Sequence, residues 1–468
     1  MYSMRVSQGS RGHPRRWLIL GVICLVQLTV LLDNTVLNVA IPSLKRELHA
    51  ATSDVQWLIN AYSLVQSGLL LTAGSAADRY GRKKMLIAGL VLFGAGSLVA
   101  GFAGATGQLI AARAGMGIGG ALLMTTTLAV AVQIFAPEEQ PKAIGIWSAV
   151  NALGFAGGPL IGGLVLDHFW WGAIFLVNLP VVVLGLCAVA ALVPESKAPR
   201  AERPDLLGAL LSTIGMTSLV YAIIAGPGHG WTSVRVLVTT VVAAGALSAF
   251  AWWEGTVTEP MLDPRFFRDR HFTGAVAGAV LITFGMGGAL FLLTQHLQSV
   301  LGYGPLEAGL RTAPLALTVV ALNFTGLSAK WSARWGTPVS IALGMLLMSA
   351  GLVAIAAVAP SGYAGTLLGL LLIGAGCAIA NPALAHAIMS AIPPQRAGAG
   401  AGINGTVAEF GNGLGVAVLG AVLSSRIDSG QPLSAALGAG QLVGAVAVLA
   451  GGFLAAGLLR RAERATVG

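Results

Sequence analysis

The chain has 468 residues, of which 56% are hydrophobic and only 10% are charged. A soluble domain carries about 25% charged residues, so this composition excludes a soluble protein and predicts a polytopic membrane protein. The formal charge of +9 comes from Lys and Arg scattered over short loops, which argues against nucleic-acid binding. The three cysteines lack metal-ligand spacing, and no nucleotide-binding or catalytic motif is present in the sequence. We therefore expect no metal, no cofactor and no enzyme activity.

Fourteen apolar segments are long enough to cross a bilayer, since about 20 residues at a rise of about 1.5 Å span the hydrocarbon. They predict an all-α membrane fold. Lys and Arg are concentrated in the loops on the side of the N-terminus, among them 329–336 and the linker from Glu254 to His271, which predicts that both termini are cytoplasmic. The segments lie at 17–41, 54–77, 84–103, 108–134, 142–166, 171–193, 206–227, 234–253, 272–298, 307–328, 337–358, 363–391, 398–424 and 438–459.

The first segment ends in the stretch LLDNTVLNVAIP, which places the acid Asp33 within the membrane, with Asn34 and Asn38 close by. A charge in that position costs about 2.5–3.5 kcal/mol on insertion scales, so we interpret Asp33 as functional. The alternative is an aspartate that caps a helix end or is satisfied by neighbouring Thr and Asn side chains.

The loop after the second segment reads GSAADRYGRKKML. Gly81 permits a tight turn between two helices, and the basic residues from Arg82 onward hold the loop on the cytoplasmic side. Asp78 is placed to meet a helix N-terminus or a neighbouring arginine. The alternative is a loop that serves only to set the topology.

The fourth segment contains LIAARAGMGIGGA, which places Arg113 inside the membrane. Asp33 and Arg113 lie at similar depths, roughly 12 Å and 10 Å from the outer ends of their segments. A neighbouring cation favours the charged form of a carboxyl group, whereas burial favours the neutral form. We therefore predict that the two residues pair and that movement of Arg113 changes the proton affinity of Asp33. The alternative is an arginine that binds only backbone carbonyls.

The fifth segment contains GFAGGPLIGG, in which Pro159 bends the helix and the glycines allow close helix contact. An ordinary packing seam of small residues is the alternative. Pro137 and Pro394 stand just before the fifth and thirteenth segments. Each precedes the first glycine of a series in its segment by 17 residues. This repeat predicts two six-helix halves around a two-helix insert, with boundaries at 1–195, 196–265 and 266–468.

The thirteenth segment places Glu409 near the membrane midplane, roughly 18 Å from its inner end, with Asn412 on the same helix face. An acid at that depth predicts a working carboxylate that binds protons or cationic compounds. Trp57 and Tyr62 of the second segment are candidates to line a drug cavity.

Four motifs resemble those of the major facilitator superfamily, in particular its fourteen-helix drug:proton antiporter family. They are the stretches quoted above from the first, fourth and fifth segments and from the loop after the second segment. Met116 stands where that family often has Gln. The resemblance implies two six-helix halves plus two extra central helices, and a helix-5 motif typical of antiporters at Gly154, Gly158, Pro159, Gly162 and Gly163. It also implies an outward-facing latch formed by Gly74, Asp78, Arg79, Gly81 and Arg82. Proton coupling would fall to Asp33, Arg113 and Glu409, and substrate contacts to Asn34, Asn38, Trp57, Tyr62 and Asn412.

The resemblance predicts a monomeric transporter in the cell membrane that exchanges cytoplasmic drugs for protons. One alternative is an exporter dedicated to a single endogenous metabolite or antibiotic, which would provide self-resistance. Another is a membrane sensor on the same scaffold. The intramembrane charges and the absence of an added soluble domain in this sequence favour transport.

Overall fold

A computed structural model describes residues 14–136, 138–197, 204–358, 362–392 and 397–467, and this part of the chain is almost entirely helical. Pro137 and Pro394, which mark the predicted repeat, lie outside the described residues. A 3-10 helix at Pro264–Arg268 precedes α10, and a π-helix at His296–Val300 follows it. The α-helices are α1 (Arg16–Glu47), α2 (Thr52–Tyr80), α3 (Arg82–Gly101), α4 (Thr106–Ile134), α5 (Gln140–His168), α6 (Ala173–Leu176), α7 (Asn178–Leu192), α8 (Leu206–His229), α9 (Val234–Thr256), α10 (Arg270–Gln295), α11 (Pro305–Phe324), α12 (Leu327–Trp335), α13 (Thr337–Val358), α14 (Tyr363–Ser390), α15 (Ala397–Asp428) and α16 (Leu433–Val467).

Twelve helical spans in the described residues are long and apolar enough to cross a membrane, which confirms a multi-pass membrane protein. One of them combines α6 and α7. The second and fifth predicted segments correspond to α2 and α5, each of 29 residues, which are not among the twelve. Many buried polar residues lower the hydropathy of α2. The count of fourteen crossings therefore stays a prediction.

The helices pack into two hydrophobic clusters. One is built mainly by α1–α7 and the other by α10–α16. The α8–α9 hairpin packs through α8 against both α2 and α15, where a smaller apolar cluster forms. This arrangement is compatible with two halves and an insert, but the boundaries at 195 and 265 stay predictions.

We call the face of the bundle where α1 begins the near face, and the face where α1 ends the far face. At the near face Arg16 Nε lies 2.7 Å from Glu139 Oε2, which joins the start of α1 to the start of α5. At the far face Lys45 Nζ donates to Gln295 Oε1 over 2.9 Å, and Gln298 Nε2 donates to the Val39 carbonyl over 2.8 Å. These bonds tie α1 to the end of α10 and to the π-helix after it, so they link the two clusters at the far face.

The sixth predicted segment is correct in extent but is broken into α6 and α7 around Val177. Pro180 causes this break because it has no N–H to donate to the carbonyl of Leu176. Asn178 lies in the first turn of α7, directly after this break, and is buried in the bundle.

Two loop predictions are wrong. Residues 329–336, which the sequence predicts as a loop, mostly belong to the nine-residue α12, which a search for membrane-length segments misses. In α12 the rings of Trp331 and Trp335 stack at 6.5 Å, which is typical of an amphipathic interfacial helix. Glu254, the predicted first residue of a linker, is instead buried in the last turns of α9.

Candidate functional site

Buried charges mark the interior of this membrane bundle. Among the described residues, the buried charged side chains are Asp33, Arg113, Glu254 and Glu409. Three of them gather in the centre, on α1, α4 and α15, and we call this group the central site. Glu254 lies outside it, at the near face.

The core of the central site is an ion pair between α1 and α4. Arg113 Nη1 donates a hydrogen bond to Asp33 Oδ2, and Arg113 is fully buried while Asp33 is only 4% exposed. Arg113 Nε also donates to the Leu58 carbonyl over 3.1 Å, and the guanidinium lies 4.3 Å from the centre of the Tyr62 ring. The pairing expected from the two depths is therefore present, together with the carbonyl contact considered as its alternative.

A third residue holds the acid of this pair in place. Asn178 Nδ2 donates to Asp33 Oδ1 over 3.0 Å and lies 3.3 Å from Ser97 Oγ. Asn178 is not among the residues predicted from the sequence, although an amide two residues before Pro180 in an otherwise apolar segment is a detectable signal. Since Arg113 binds one carboxylate oxygen and Asn178 the other, the Asp33 carboxylate is fixed in orientation.

The second acid of the central site is bound from the same helix, α1. Asn34 Nδ2 lies 3.4 Å from both carboxylate oxygens of Glu409. Two consecutive residues of α1 therefore take part in these contacts. Asp33 is turned towards Arg113 of α4, and Asn34 is turned towards Glu409 of α15. This places one helix between two groups that can each carry a proton.

Several buried polar atoms around these acids lack a hydrogen-bond partner within the described residues. An unsatisfied buried polar atom costs about 1–3 kcal/mol, so such a group usually binds water or a ligand. The centre of the bundle is therefore suited to water or to the polar part of a substrate. The atoms are Asn34 Oδ1, Asn38 Oδ1, Asn60 Oδ1, Tyr62 Oη, Gln66 Oε1 and Arg113 Nη2.

The other two candidate substrate residues have neighbours of a different kind. The Trp57 ring lies 5.7 Å from the Tyr221 ring, so it packs between α2 and α8. Asn412 packs so closely on Gly287 of α10 that a Cβ added to this glycine would overlap with Asn412 Oδ1. Asn412 therefore lines the packing of α15 on α10, whereas Glu409 faces α1. Their part in substrate binding stays a prediction.

The glycines of the α5 motif pack against α1. Gly154, Gly158 and Gly162 all face this helix, and the closest approach is at Gly158. A Cβ on Gly158 would overlap with Thr35 Oγ1, so no side chain fits there. This face of α5 thus packs against the part of α1 that carries Asp33 and Asn34, which make the contacts with Arg113 and Glu409.

The remaining residues of the motif pack against α11, across the boundary between the two clusters. A Cβ on Gly163 would lie 2.6 Å from the Pro305 carbonyl oxygen, and a Cβ on Gly309 of α11 would overlap with the carbonyl oxygen of Pro159. Backbone therefore meets backbone between α5 and α11 towards the far face.

We expect Gly163→Ala to lower transport by at least about tenfold, because the new methyl group meets rigid backbone and overpacking costs about 1–3 kcal/mol. The measurement is initial transport rate at equal amounts of folded protein in vesicles. Gly157→Ala is the matched control, since its Cβ would meet only flexible side-chain ends, of which that of Leu32 is nearest at 3.2 Å. Equal rates in the two variants would contradict a role for the close contact between α5 and α11.

The predicted latch lies at the near face. Gly81 has a φ of +119°, which favours glycine, and it links α2 directly to α3. Arg82 Nη2 donates to Asp78 Oδ1 over 2.7 Å, its Nη1 donates to Gln133 Oε1 over 3.1 Å, and its backbone N–H binds the Ser196 carbonyl. These bonds join helices of the first cluster, so the function of the group as a latch stays a prediction. The last turns of α2 also hold the two other predicted latch residues, half-buried Gly74 and Arg79.

Comparison with known proteins gives a consistent result. A family model described as Major Facilitator Superfamily matches residues 23–416. The chain is 36% identical over 402 residues to multidrug resistance protein Stp of Mycobacterium tuberculosis (strain CDC 1551 / Oshkosh), which covers 86% of this chain and 74% of that protein.

Two further relatives carry export or resistance names. The chain is 33% identical to the tetracenomycin C resistance and export protein of Streptomyces glaucescens, over 91% of this chain and 79% of that one. It is 37% identical to the methyl viologen resistance protein SmvA of Salmonella typhimurium (strain 14028s / SGSC 2262), over 92% and 86%. A crystal structure of the peptide transporter POT in complex with sulfate shares the fold, with a TM-score of 0.70, 15% identity and coverage of 96% and 98%.

Proposed function

Since the chain belongs to the Major Facilitator Superfamily, we propose that it exports lipophilic or cationic compounds from the cytoplasm in exchange for protons. It is a multi-pass membrane transporter whose relatives are multidrug and antibiotic resistance proteins. Exchange with protons, the cytoplasmic location of both termini, the monomeric state and the lack of a cofactor all belong to this proposal.

The observation that carries the proposal is that consecutive residues of α1 reach both buried acids: Asp33 is one acid, and Asn34 contacts the other, Glu409. Asp33 is paired with Arg113, whereas Glu409 contacts the neutral Asn34 and forms no salt bridge among the described residues. A buried carboxylate without an ion-pair partner is the group in the central site best suited to accept either a proton or a cationic substrate. Competition between these two ligands for one site is the requirement of antiport.

The contacts at the far face bear on access to the central site. The basic residues from Arg82 to Lys84, at the start of α3, lie at the near face, which the positive-inside rule assigns to the cytoplasm. The bonds of Lys45 and Gln298 link the two clusters at the opposite face. We interpret these bonds as contacts that restrict access to the central site from the outside.

Everted membrane vesicles test the proposal directly. An acidic interior is generated by respiration, and a panel of cationic dyes, neutral lipophilic antibiotics and viologens is added one compound at a time. We expect at least one compound to dissipate the pH gradient in vesicles that contain the protein and not in vesicles from cells without it. Substrate uptake that persists unchanged after the pH gradient is collapsed, with the membrane potential held constant, would contradict exchange with protons.

The same panel separates the two hypotheses of substrate breadth. Similarity to a protein named for a single antibiotic, tetracenomycin C, favours a dedicated exporter as the second candidate. Response to chemically unrelated compounds would establish multidrug export, whereas response to a single class would establish the dedicated exporter.

A further inference from the structure

Glu254 is the buried acid that the central site does not use. It lies in the last turns of α9 and is only 2% exposed. The chain that follows α9 folds back over it, so that the Leu262 N–H donates to Glu254 Oε2 over 3.0 Å. The other oxygen, Oε1, has no hydrogen-bond partner within the described part of the chain. A buried carboxylate oxygen without a donor requires a ligand, and a proton is the smallest one.

A second carboxylate lies against that oxygen. Asp205 caps the N-terminus of α8, where Oδ1 accepts the Gly208 N–H over 2.9 Å, and both of its oxygens lie 2.9–3.0 Å from Trp253 Nε1. A Cβ built on Gly208 would lie 2.5 Å from Asp205 Oδ2 and 2.7 Å from Glu254 Oε1. The two oxygens therefore lie next to each other over this glycine.

No cation compensates the pair among the described residues. Asp205 is the charged side chain that acts electrostatically on Glu254, and the segment leading to α10 adds the backbone N–H groups of Met261 and Leu262. From α2 the neighbour is the uncharged Thr72, whose hydroxyl donates to the Asp205 carbonyl over 3.3 Å. Two carboxylates in contact repel each other strongly unless one of them holds a proton.

We propose that Asp205 and Glu254 form a second proton-binding site, which holds one shared proton and fastens the end of α9 to the start of α8. The proton resides on Glu254 Oε1 and is donated to Asp205 Oδ2, which gives Oε1 the partner that it lacks.

Loss of the proton weakens the contact between the start of α8 and the end of α9. Two negative charges then face each other on buried Glu254 and half-buried Asp205, and separation of α8 from α9 relieves the repulsion. The start of α8 also holds α2 through Thr72, and α8 packs on α15. The site therefore links near-face pH to α2 and to α15, the helix that carries Glu409. This site is separate from the central site, and its proton is additional to any that is exchanged for substrate.

Infrared difference spectroscopy of the purified full-length protein in lipid nanodiscs tests the shared proton. We expect a pH jump to produce a C=O stretching band of a protonated carboxyl group that persists in Glu409→Gln and disappears in Glu254→Gln. Glu259→Gln is the matched control, because Glu259 is an exposed acid shortly after α9, and it should leave the band unchanged. A spectrum in which Glu254→Gln leaves every carboxyl band in place would overturn the proposal.

Hydrogen–deuterium exchange tests the attachment independently of transport. After correction for the intrinsic pH dependence of exchange, we expect amides 206–212 and 257–262 of the wild-type protein to exchange at least about tenfold faster once the proton is lost. Glu254→Gln keeps a permanent N–H donor towards Asp205 and should stay protected at all pH values. Asp205→Asn, which removes the repulsion from the other side, should also abolish the pH dependence. Wild-type pH dependence in both variants would show that the pair does not control the hairpin.

Discussion

Replacing Asp33 with Asn should reduce substrate-driven proton movement to the background of vesicles without the protein. The Asn side chain keeps the shape and an oxygen that can accept from Arg113, but it cannot exchange a proton. We expect the variant to insert in the membrane and to bind substrate, as followed by quenching of tryptophan fluorescence. The measurement is the rate at which added substrate dissipates the pH gradient of everted vesicles.

Loss of the buried charge also affects stability, and the two effects must be separated. Removing one partner of a buried ion pair costs about 3–5 kcal/mol, because Arg113 is left charged and fully buried. The double variant Asp33→Asn, Arg113→Gln removes both charges and should recover much of the lost thermal stability. We expect the double variant to remain inactive in proton exchange, since Asn and Gln cannot bind and release a proton.

Asp167→Asn is the matched control for this series, because Asp167 is exposed near the end of α5. It should transport at the wild-type rate. If Asp33→Asn still exchanged protons at the wild-type rate, the carrier would have to be another group. If the double variant regained exchange together with stability, the role of Asp33 would be structural only.

The ion pair was predictable because intramembrane charges are rare and the spacing of a helix converts residue number into depth. Asp33 and Arg113 stand at similar depths in the first and fourth segments, and this match was sufficient to predict the pair. The contact of Asn34 with Glu409 was not predictable, because it joins residues 375 positions apart. Hydropathy gives the depth of a residue but not the rotation of its helix about its own axis, so it cannot say which neighbour a side chain faces.

The same limit explains the misplacement of Glu254. An acid at the end of an apolar run is normally the first residue of a loop, and the composition from 254 to 271 is that of a polar linker. Its burial results from the return of residues 257–262 over the helix end and from the contact with Asp205 of the neighbouring helix. Both are tertiary features without a periodic signal. The apolar segments themselves were found because each carries its own signal over about 20 residues.

Replacing Glu409 with Gln should lower the export of cationic substrates at least about tenfold more than that of neutral ones. A hydrogen bond or contact with a charged group contributes about 1.5–3 kcal/mol, and each 1.4 kcal/mol corresponds to about tenfold in binding. Glu409 is 9% exposed and faces Asn34, so its charge acts in a place with little water. The measurement is a comparison of export rates for a cationic dye and a neutral antibiotic in the same vesicles.

Glu47→Gln is the control, because Glu47 is exposed at the end of α1 and should change both rates little. A second test uses the partner of Glu409. If Asn34 acts by orienting this carboxylate, Asn34→Ala should impair cation export by itself but add little to the effect of Glu409→Gln. Equal losses for cationic and neutral substrates in Glu409→Gln would remove Glu409 from substrate recognition. An additive effect of Asn34→Ala would mean that Asn34 contacts the substrate directly.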